Sequence, residues 1–419
     1  MKFPIIYSLV FLLALVFAVP FAWGEDPPPI EQRRHPDYTI LGLDDLVNPQ
    51  TPLNPNFVIS PEARIAEASI WRSSYIPERL VGLDVGDVDK DGKNEMVYLT
   101  LHNVYLYRFD NGEYTQLANF SLPKNARGIA IDLYDTNGDA KKEILVSAEN
   151  DDNHSANSLV LSYTGDRTLT ALGTSLPYYL RVVGQEGSRV MVAQRSGTSP
   201  GSSFDGPVHY ASFENGRISL SAIFELPFQV NIYNFNVGEL GRERMRLTTI
   251  IKFPTEHLLL TEFSGEKVWE SHDEYGGAIN YIELTPYGDS SRSVEYIPTR
   301  IIIADIDQDG SNELIVAKNN QSGTRVFRNL RTFNSGIIEA RKFVNLSLIP
   351  FFTSSNLLPG AAVDYQLADF DNNGSKDLIV GILIEPGSGM LQDARSIIFS
   401  YNNLYNVEPT ATPASTSDE

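Results

Sequence analysis

Four short stretches of the chain place carboxylates at a spacing suited to a hard cation. At Asp305 the sequence reads D-I-D-Q-D-G-S-N-E, with acids at positions 1, 3, 5 and 9 and glycine at position 6. The same frame opens at Asp87 (DVDKDGKNE), at Asp135 (DTNGDAKKE) and at Asp369 (DFDNNGSKD). Like charges this close repel one another unless an ion lies between them, and then they become ligands. The donor set read from each copy is positions 1, 3 and 5, the backbone carbonyl of 7 and the carboxylate of 9. That gives Asp87, Asp89, Asp91, Lys93 and Glu95 in the first copy, and Asp135, Asn137, Asp139, Lys141 and Glu143 in the second. The third comprises Asp305, Asp307, Asp309, Ser311 and Glu313, and the fourth Asp369, Asp371, Asn373, Ser375 and Asp377. All-oxygen donors suit Ca²⁺. Mg²⁺ gives up its water reluctantly, and Zn²⁺ would favour His or Cys. Up to four Ca²⁺ are expected.

These loops are not EF-hands. An EF-hand carries its bidentate Glu at position 12 and continues as a helix. Here the last acid is at position 9, and a β-forming run follows: Met96 to Thr100, Ile144 to Ala148, Leu314 to Ala317 and Leu378 to Leu383. The expected geometry is a hairpin tip pinned by the ion. The second copy has Ala140 where the others have glycine, and its own Gly138 falls two places early, which predicts a different turn there. The first two copies share a further acid three residues upstream, Asp84 and Asp132.

Elsewhere, short apolar runs such as VYLYRF (104–109), SLVLSY (158–163) and HLLLTEF (257–263) are separated by Gly, Asn, Asp and Pro, the pattern of strands and hairpins. Two stretches without the oxygen ligands keep the strand–turn–strand shape, LRVVGQEGSRVMVAQ (180–194) and FNVGELGRERMRLTTIIK (235–252). Trp71-Arg-Ser and Trp269-Glu-Ser each close a strand-like run. A repeat of roughly 50 to 60 residues, each a few strands that cannot bury their faces alone, predicts an all-β fold, a β-propeller. Residues 64–405 have room for seven blades of ~50 residues, with six as the alternative. The segment 64–72 is placed to complete the last blade.

The rest of the chain bounds the function. Of its 419 residues, 53 are acidic and 33 are Lys or Arg, a net charge of −20, which disfavours nucleic acid. The loops hold fourteen of the acids, so four Ca²⁺ would bring the net charge to about −12. There is no cysteine, hence no disulfide or thiol chemistry. Residues 1–24 read as a signal peptide, with Lys2, an apolar run from Ile5 to Val19 and the small-x-small site Ala22-Trp23-Gly24. Residues 25–63 form an extension or linker, and the Pro-, Thr- and Ser-rich residues 406–419 a disordered tail. No later run is long enough to span a membrane. Gly197-Thr-Ser199-Pro-Gly201 matches G-x-S-x-G but has no helix after it, and the six histidines form no metal motif, so no catalytic residue is assigned.

The loops, each followed by an apolar strand, resemble the FG-GAP or VCBS repeats of exported bacterial proteins, and are similar to the calcium-binding blades of integrin α-subunit propellers. The resemblance spans most of 64–405 and rests on the four loops. Trp-x-Ser, GELGRE, SGEKVWES and EYGGAIN look most like secreted VCBS-repeat proteins of Gram-negative bacteria. It implies calcium in the hairpin loops of one propeller face, and a secreted, periplasmic or outer-envelope location. The expected function is a protein- or glycan-binding or scaffolding module of the cell envelope. A propeller-based polysaccharide lyase or glycoside hydrolase, with its acid–base pair on the face opposite the loops, is the alternative.

Overall fold

The computed structural model describes residues 63–65, 70–110, 112–199, 201–227, 230–275, 277, 279–284, 293–321, 331, 333–354, 358–387, 393–401 and 407–409. The expected signal peptide, almost all of the linker and most of the tail lie outside them. Among the described residues every regular element is a strand, and no helix is long and apolar enough to cross a membrane.

Six sheets follow one another along the chain, each an antiparallel meander. Blade I consists of Leu80–Gly86, Glu95–Thr100, Asn103–Asp110 and Glu113–Ser121. Blade II is Ala126–Tyr134, Glu143–Asn150, Ser158–Tyr163 and Leu169–Leu176. Blade III is Tyr179–Val183, Val190–Ser196, Phe204–Glu214 and Arg217–Ile223. Blade IV is Phe235–Leu240, Met245–Ile251, His257–Thr261 and Lys267–Glu274. Blade V is Ile302–Ala304, Glu313–Gln321, Phe333–Val344 and Ser347–Thr353, with the short strand Leu358–Pro359 added. Blade VI is Ala361–Ala368, Asp377–Glu385 and Arg395–Tyr401, and its fourth strand is Ile70–Arg72 from the other end of the chain. That pairing closes the ring, as expected for the segment 64–72, but Ala63–Ile65 pairs instead with Val407–Pro409, a strand within the expected disordered tail.

The propeller therefore has six blades, not seven. The two stretches without oxygen ligands each became one blade, III and IV. The remaining length goes into longer blades and into an inserted hairpin, Tyr281–Leu284 with Ser293–Tyr296, between blades IV and V. Dividing the chain by ~50 residues counted that insertion as a blade.

Burial explains the strand order. The first two strands of a blade are apolar on both faces, because both faces meet neighbouring blades: Leu80–Gly86 and Glu95–Thr100 are buried throughout. The fourth strand is the outer edge and is mostly exposed, as in Arg217–Ile223. The core consists of clusters between blades, such as Leu99, Val104 and Ile131 with Leu133 and Val146 from blades I and II. Trp-x-Ser has a local cause. The serine follows the aromatic residue by two, and its hydroxyl accepts a strand amide the edge leaves unpaired: Ile398 N–H to Ser73 Oγ (3.0 Å) and Leu258 N–H to Ser271 Oγ (2.9 Å). Phe352-Thr-Ser354 repeats the device at Ile338 (2.8 Å). Trp71 packs against Phe370 and Tyr114 at centroid distances of 4.9 and 4.8 Å, joining blades VI and I at the closure.

Candidate metal loops and the central channel

The four acidic sequences form the turns between first and second strands of blades I, II, V and VI. Their internal bonding is the same. The position-6 amide donates to Oδ2 of position 1: Gly92 to Asp87 (2.9 Å), Ala140 to Asp135 (2.8 Å), Gly310 to Asp305 (2.9 Å) and Gly374 to Asp369 (3.0 Å). The position-7 amide donates to position 5: Lys93 to Asp91, Lys141 to Asp139, Ser311 to Asp309 and Ser375 to Asn373, at 2.7–2.9 Å. The position-9 carboxylate accepts from the amide of position 2: Val88 to Glu95, Thr136 to Glu143, Ile306 to Glu313 and Phe370 to Asp377.

The second loop is thus not a different turn. Positions 4 and 6 have positive φ in all four: Lys90 +65° and Gly92 +86°, Gly138 +79° and Ala140 +69°, Gln308 +58° and Gly310 +84°, Asn372 +60° and Gly374 +89°. The turn needs two left-handed residues. Glycine relieves one of them, at position 6 in three loops and at position 4 in the second, where Ala140 takes the strained place.

Positions 1, 3 and 9 converge in three loops. Ligand oxygens of Asp87, Asp89 and Glu95, of Asp305, Asp307 and Glu313, and of Asp369, Asp371 and Asp377 lie within 4.8 Å of one another. The second loop has Asn137 at position 3 and no such trio of acids. Burial pushes Glu95 up to about 7, even with Arg108 beside it. Burial, with Asp307 and Asp309 nearby, pushes Glu313 up to about 8. Asp307 Oδ1 and Glu313 Oε1 are buried and accept no hydrogen bond. An oxygen in that state calls for a cation, and three carboxylates on a prewrapped loop suit a divalent one.

Two loops also hold a cation of their own. Arg108 bonds Glu95, Asp89 (3.1 Å) and Asp91 (2.9 Å), and Lys342 bonds Asp307 and Asp309 (2.8 Å), with Glu313 at 3.8 Å. Both residues stand on the third strand beside the position-9 acid, one residue on from the pairs Met96–Tyr107 and Leu314–Arg341. In blade II the register puts Ser162 there, one residue on from Ile144–Leu161. The two loops with four acids carry this cation, whereas the blade II loop, with three acids, has serine there, so its carboxylates and this position together sum to −3 in all three. The loop sequences alone gave no sign of this balance, because the partner is 13 or 29 residues beyond the ninth position.

The upstream acids Asp84 and Asp132 serve the ring. The first strand of each blade has an edge on the central channel with no strand beside it, and buried amides there need acceptors. Leu133 N–H donates to Asp84 Oδ2 (2.8 Å), Val182 N–H to Asp132 Oδ2 (3.1 Å), Leu83 N–H to Asp364 Oδ2 (3.0 Å) and Gly184 N–H to Asn236 Oδ1 (2.6 Å). Each joins one blade to the next. Arg300, 6% exposed, fills the axis: it bonds Asp364 (2.7 Å) and the carbonyls of Leu83 and Ile131 (3.0 Å each), with Asp132 at 3.4 Å. Burial would raise the pKa of Asp84, but Arg189, Arg300 and bonds from Gln366 and Leu133 hold it below the carboxylate range. For Asp132 burial prevails over Arg181 and Arg300, and its pKa rises.

The two ends of this channel differ. Away from the loops the inserted hairpin closes it. Arg79 donates to Ile279 O (2.7 Å), Asn280 to Val81 O (2.7 Å), Arg127 lies 4.7 Å over the Tyr281 ring, Glu283 N–H donates to Glu149 (3.0 Å), and Glu295 accepts from Ser203 and from Asn231 (3.3 Å). At the loop end a cavity of about 580 Å³ remains, lined by the ends of the first strands.

Residues 87–146, from the first loop through the second and into the next strand, match the model of the FG-GAP-like repeat family. The match thus runs from one acidic loop to the next and straddles blades I and II. Among solved structures the chain is similar to the Dos1 propeller, with 12% identity, 76% of this chain and 67% of that chain covered, and a TM-score of 0.33. No curated protein matches the chain. The sheet topology defines the class, a six-bladed β-propeller, and the FG-GAP-like match covers the first two of its acidic loops.

Proposed function

We propose that this chain is a calcium-stabilised propeller, exported from the cell, which acts as a protein- or glycan-binding or scaffolding module of a bacterial envelope. The observation that carries the metal reading is the convergence of positions 1, 3 and 9 in three loops, with buried oxygens of Asp307 and Glu313 that accept no hydrogen bond. Position 5 and the carbonyl of position 7 would complete each shell, and the Asp135 loop would bind through Asn137 in place of a third carboxylate. Calcium would neutralise the buried acids and lock the turn between the first two strands. At extracellular calcium, sites with Kd of ~10⁻⁴ to 10⁻³ M would be well filled. Each site held at ten times its Kd stabilises by about 1.4 kcal/mol.

The test is a thermal melt of the full chain in calcium and in EDTA. Chelation is expected to lower Tm by on the order of 10 °C. Coincident melts would end the structural role for calcium.

The lyase or hydrolase alternative would need converging Arg, His and carboxylates on the far face. Arg127, Glu149, His154 and Glu283 have that composition, with His154 Nδ1 3.9 Å from both glutamates. Glu149, however, is fully buried and engaged by Arg127 and by the Glu283 amide beneath the hairpin. The group serves to seat the hairpin, and the binding reading stands.

A further inference from the structure

We propose that the cavity at the loop end of the channel is a binding site for a small dianion, of the dicarboxylate or sulfate class. The inference concerns residues that are ligands in none of the four loops.

The charged side chains on the cavity wall that make no hydrogen bond are of one sign. Lys142, Arg181 and Arg189 line it, and none of the three side chains makes a hydrogen bond to the described protein. Arg181 and Arg189 have acids only beneath them, toward the axis: Arg181 Nε lies 3.4 Å from Asp132 and Arg189 Nη2 3.5 Å from Asp84. Those acids already accept strand amides. Below them Arg300, also on the wall, supplies a fourth positive charge, fixed by Asp364. The acids on the wall are turned elsewhere. Asp135 and Asp369 accept amides of their own loops, and Glu186 pairs with Lys376. A cavity that presents cationic N–H groups free of hydrogen bonds favours an acceptor-rich anion, and two guanidinium forks favour paired oxygens. Arg181 is 11% exposed, so its charge acts through a poorly screened medium. A chain of net charge −20 gathers cations at one point only against its own average field.

The mouth has a bar. Glu186, on the blade III turn that lacks calcium ligands, pairs with Lys376 of blade VI, on the opposite side of the ring. Glu186 is well exposed, so the pair is weak and yields to an entering anion. Gln185 anchors the same turn by accepting from Glu239 N–H (2.6 Å) and Asn312 (3.2 Å).

The test is calorimetric titration of the calcium-loaded full chain with sodium succinate and with sodium sulfate, at constant ionic strength. A saturable single-site isotherm for either anion is expected. Lys142→Ala, which removes a side chain with no protein partner, and Arg189→Lys, which keeps the charge facing Asp84, should each weaken it about tenfold. Glu186→Gln should tighten it severalfold by releasing Lys376. Lys267→Ala on the outer edge should change nothing. No saturable signal up to 20-fold above ~1 mM, or equal affinities in wild type, Lys142→Ala and Arg189→Lys, would overturn the site. The EDTA melt reads the metal role independently, so either reading can fail without the other.

Discussion

The two ends of the central channel solve the same problem differently. Both must finish a ring of strands whose inner edges meet no further strand. The far end uses chain: a hairpin inserted between blades IV and V lays Tyr281 under Arg127 and Ile282 against Ile129 and Tyr179, and the backbone at Ile279 and Glu283 bonds Arg79 and Glu149. The loop end uses charge: three of its turns bring carboxylates together, two of them with a cationic side chain alongside, and a cavity lies at the channel mouth. The far end is covered by chain, whereas the loop end keeps clustered carboxylates and an open cavity.

Substitutions can break or sharpen this contrast. The largest effect is expected midway, at Arg300. Arg300→Met strands Asp84, Asp132 and Asp364 in the axis and should cost about 3–5 kcal/mol by denaturant unfolding, with no rescue by calcium. Full rescue would mean the axis and the loops are one system. Next is Lys342→Met, whose sign should depend on calcium. In EDTA the variant should melt below wild type, because three acids lose their cation. In calcium titrations the Asp305 loop should bind about threefold to tenfold more tightly, because the ammonium no longer competes. Unchanged calcium affinity would make Lys342 a bystander. Ala140→Gly should stabilise by about 0.5–1 kcal/mol, since the strain of a left-handed alanine exceeds the entropy glycine adds to the unfolded chain. A loss there would contradict the shared turn.

The smallest effect tests the plugged end. Burial raises the Glu295 pKa, with the Ser203 bond opposing it. The folded state therefore holds the proton to higher pH than the unfolded state, and stability falls as pH rises from the unfolded value through the folded one. Glu295→Gln should flatten that slope in melts from pH 4 to 8, equally with and without calcium. A slope that calcium abolishes would place its origin in the loops instead.

Much of the loop end was legible in the sequence, because its chemistry is local. Nine consecutive residues carry the acids, the turn and the entry into the next strand, so the convergence of Asp305, Asp307 and Glu313 could be expected before any fold was known. Trp71-Arg-Ser73 was legible for the same reason, since an aromatic anchor and a capping hydroxyl sit two residues apart. The second loop misled because glycine was read as a position rather than as relief for one of two left-handed residues. The blade count misled because it divided length by ~50 residues, and longer blades and the insertion take up the difference.

The sequence by itself determined the repeating strands, the acidic turns and the all-β class, since period, turn chemistry and ligand spacing act over a few residues. Only the tertiary structure decided that the ring closes at six, that Asp84 and Asp132 bond the neighbouring blade, and that Arg181, Arg189 and Lys142 face one cavity. Those facts depend on which distant segments ring closure brings together, and closure is a property of the sum of all blades, carried by no single stretch.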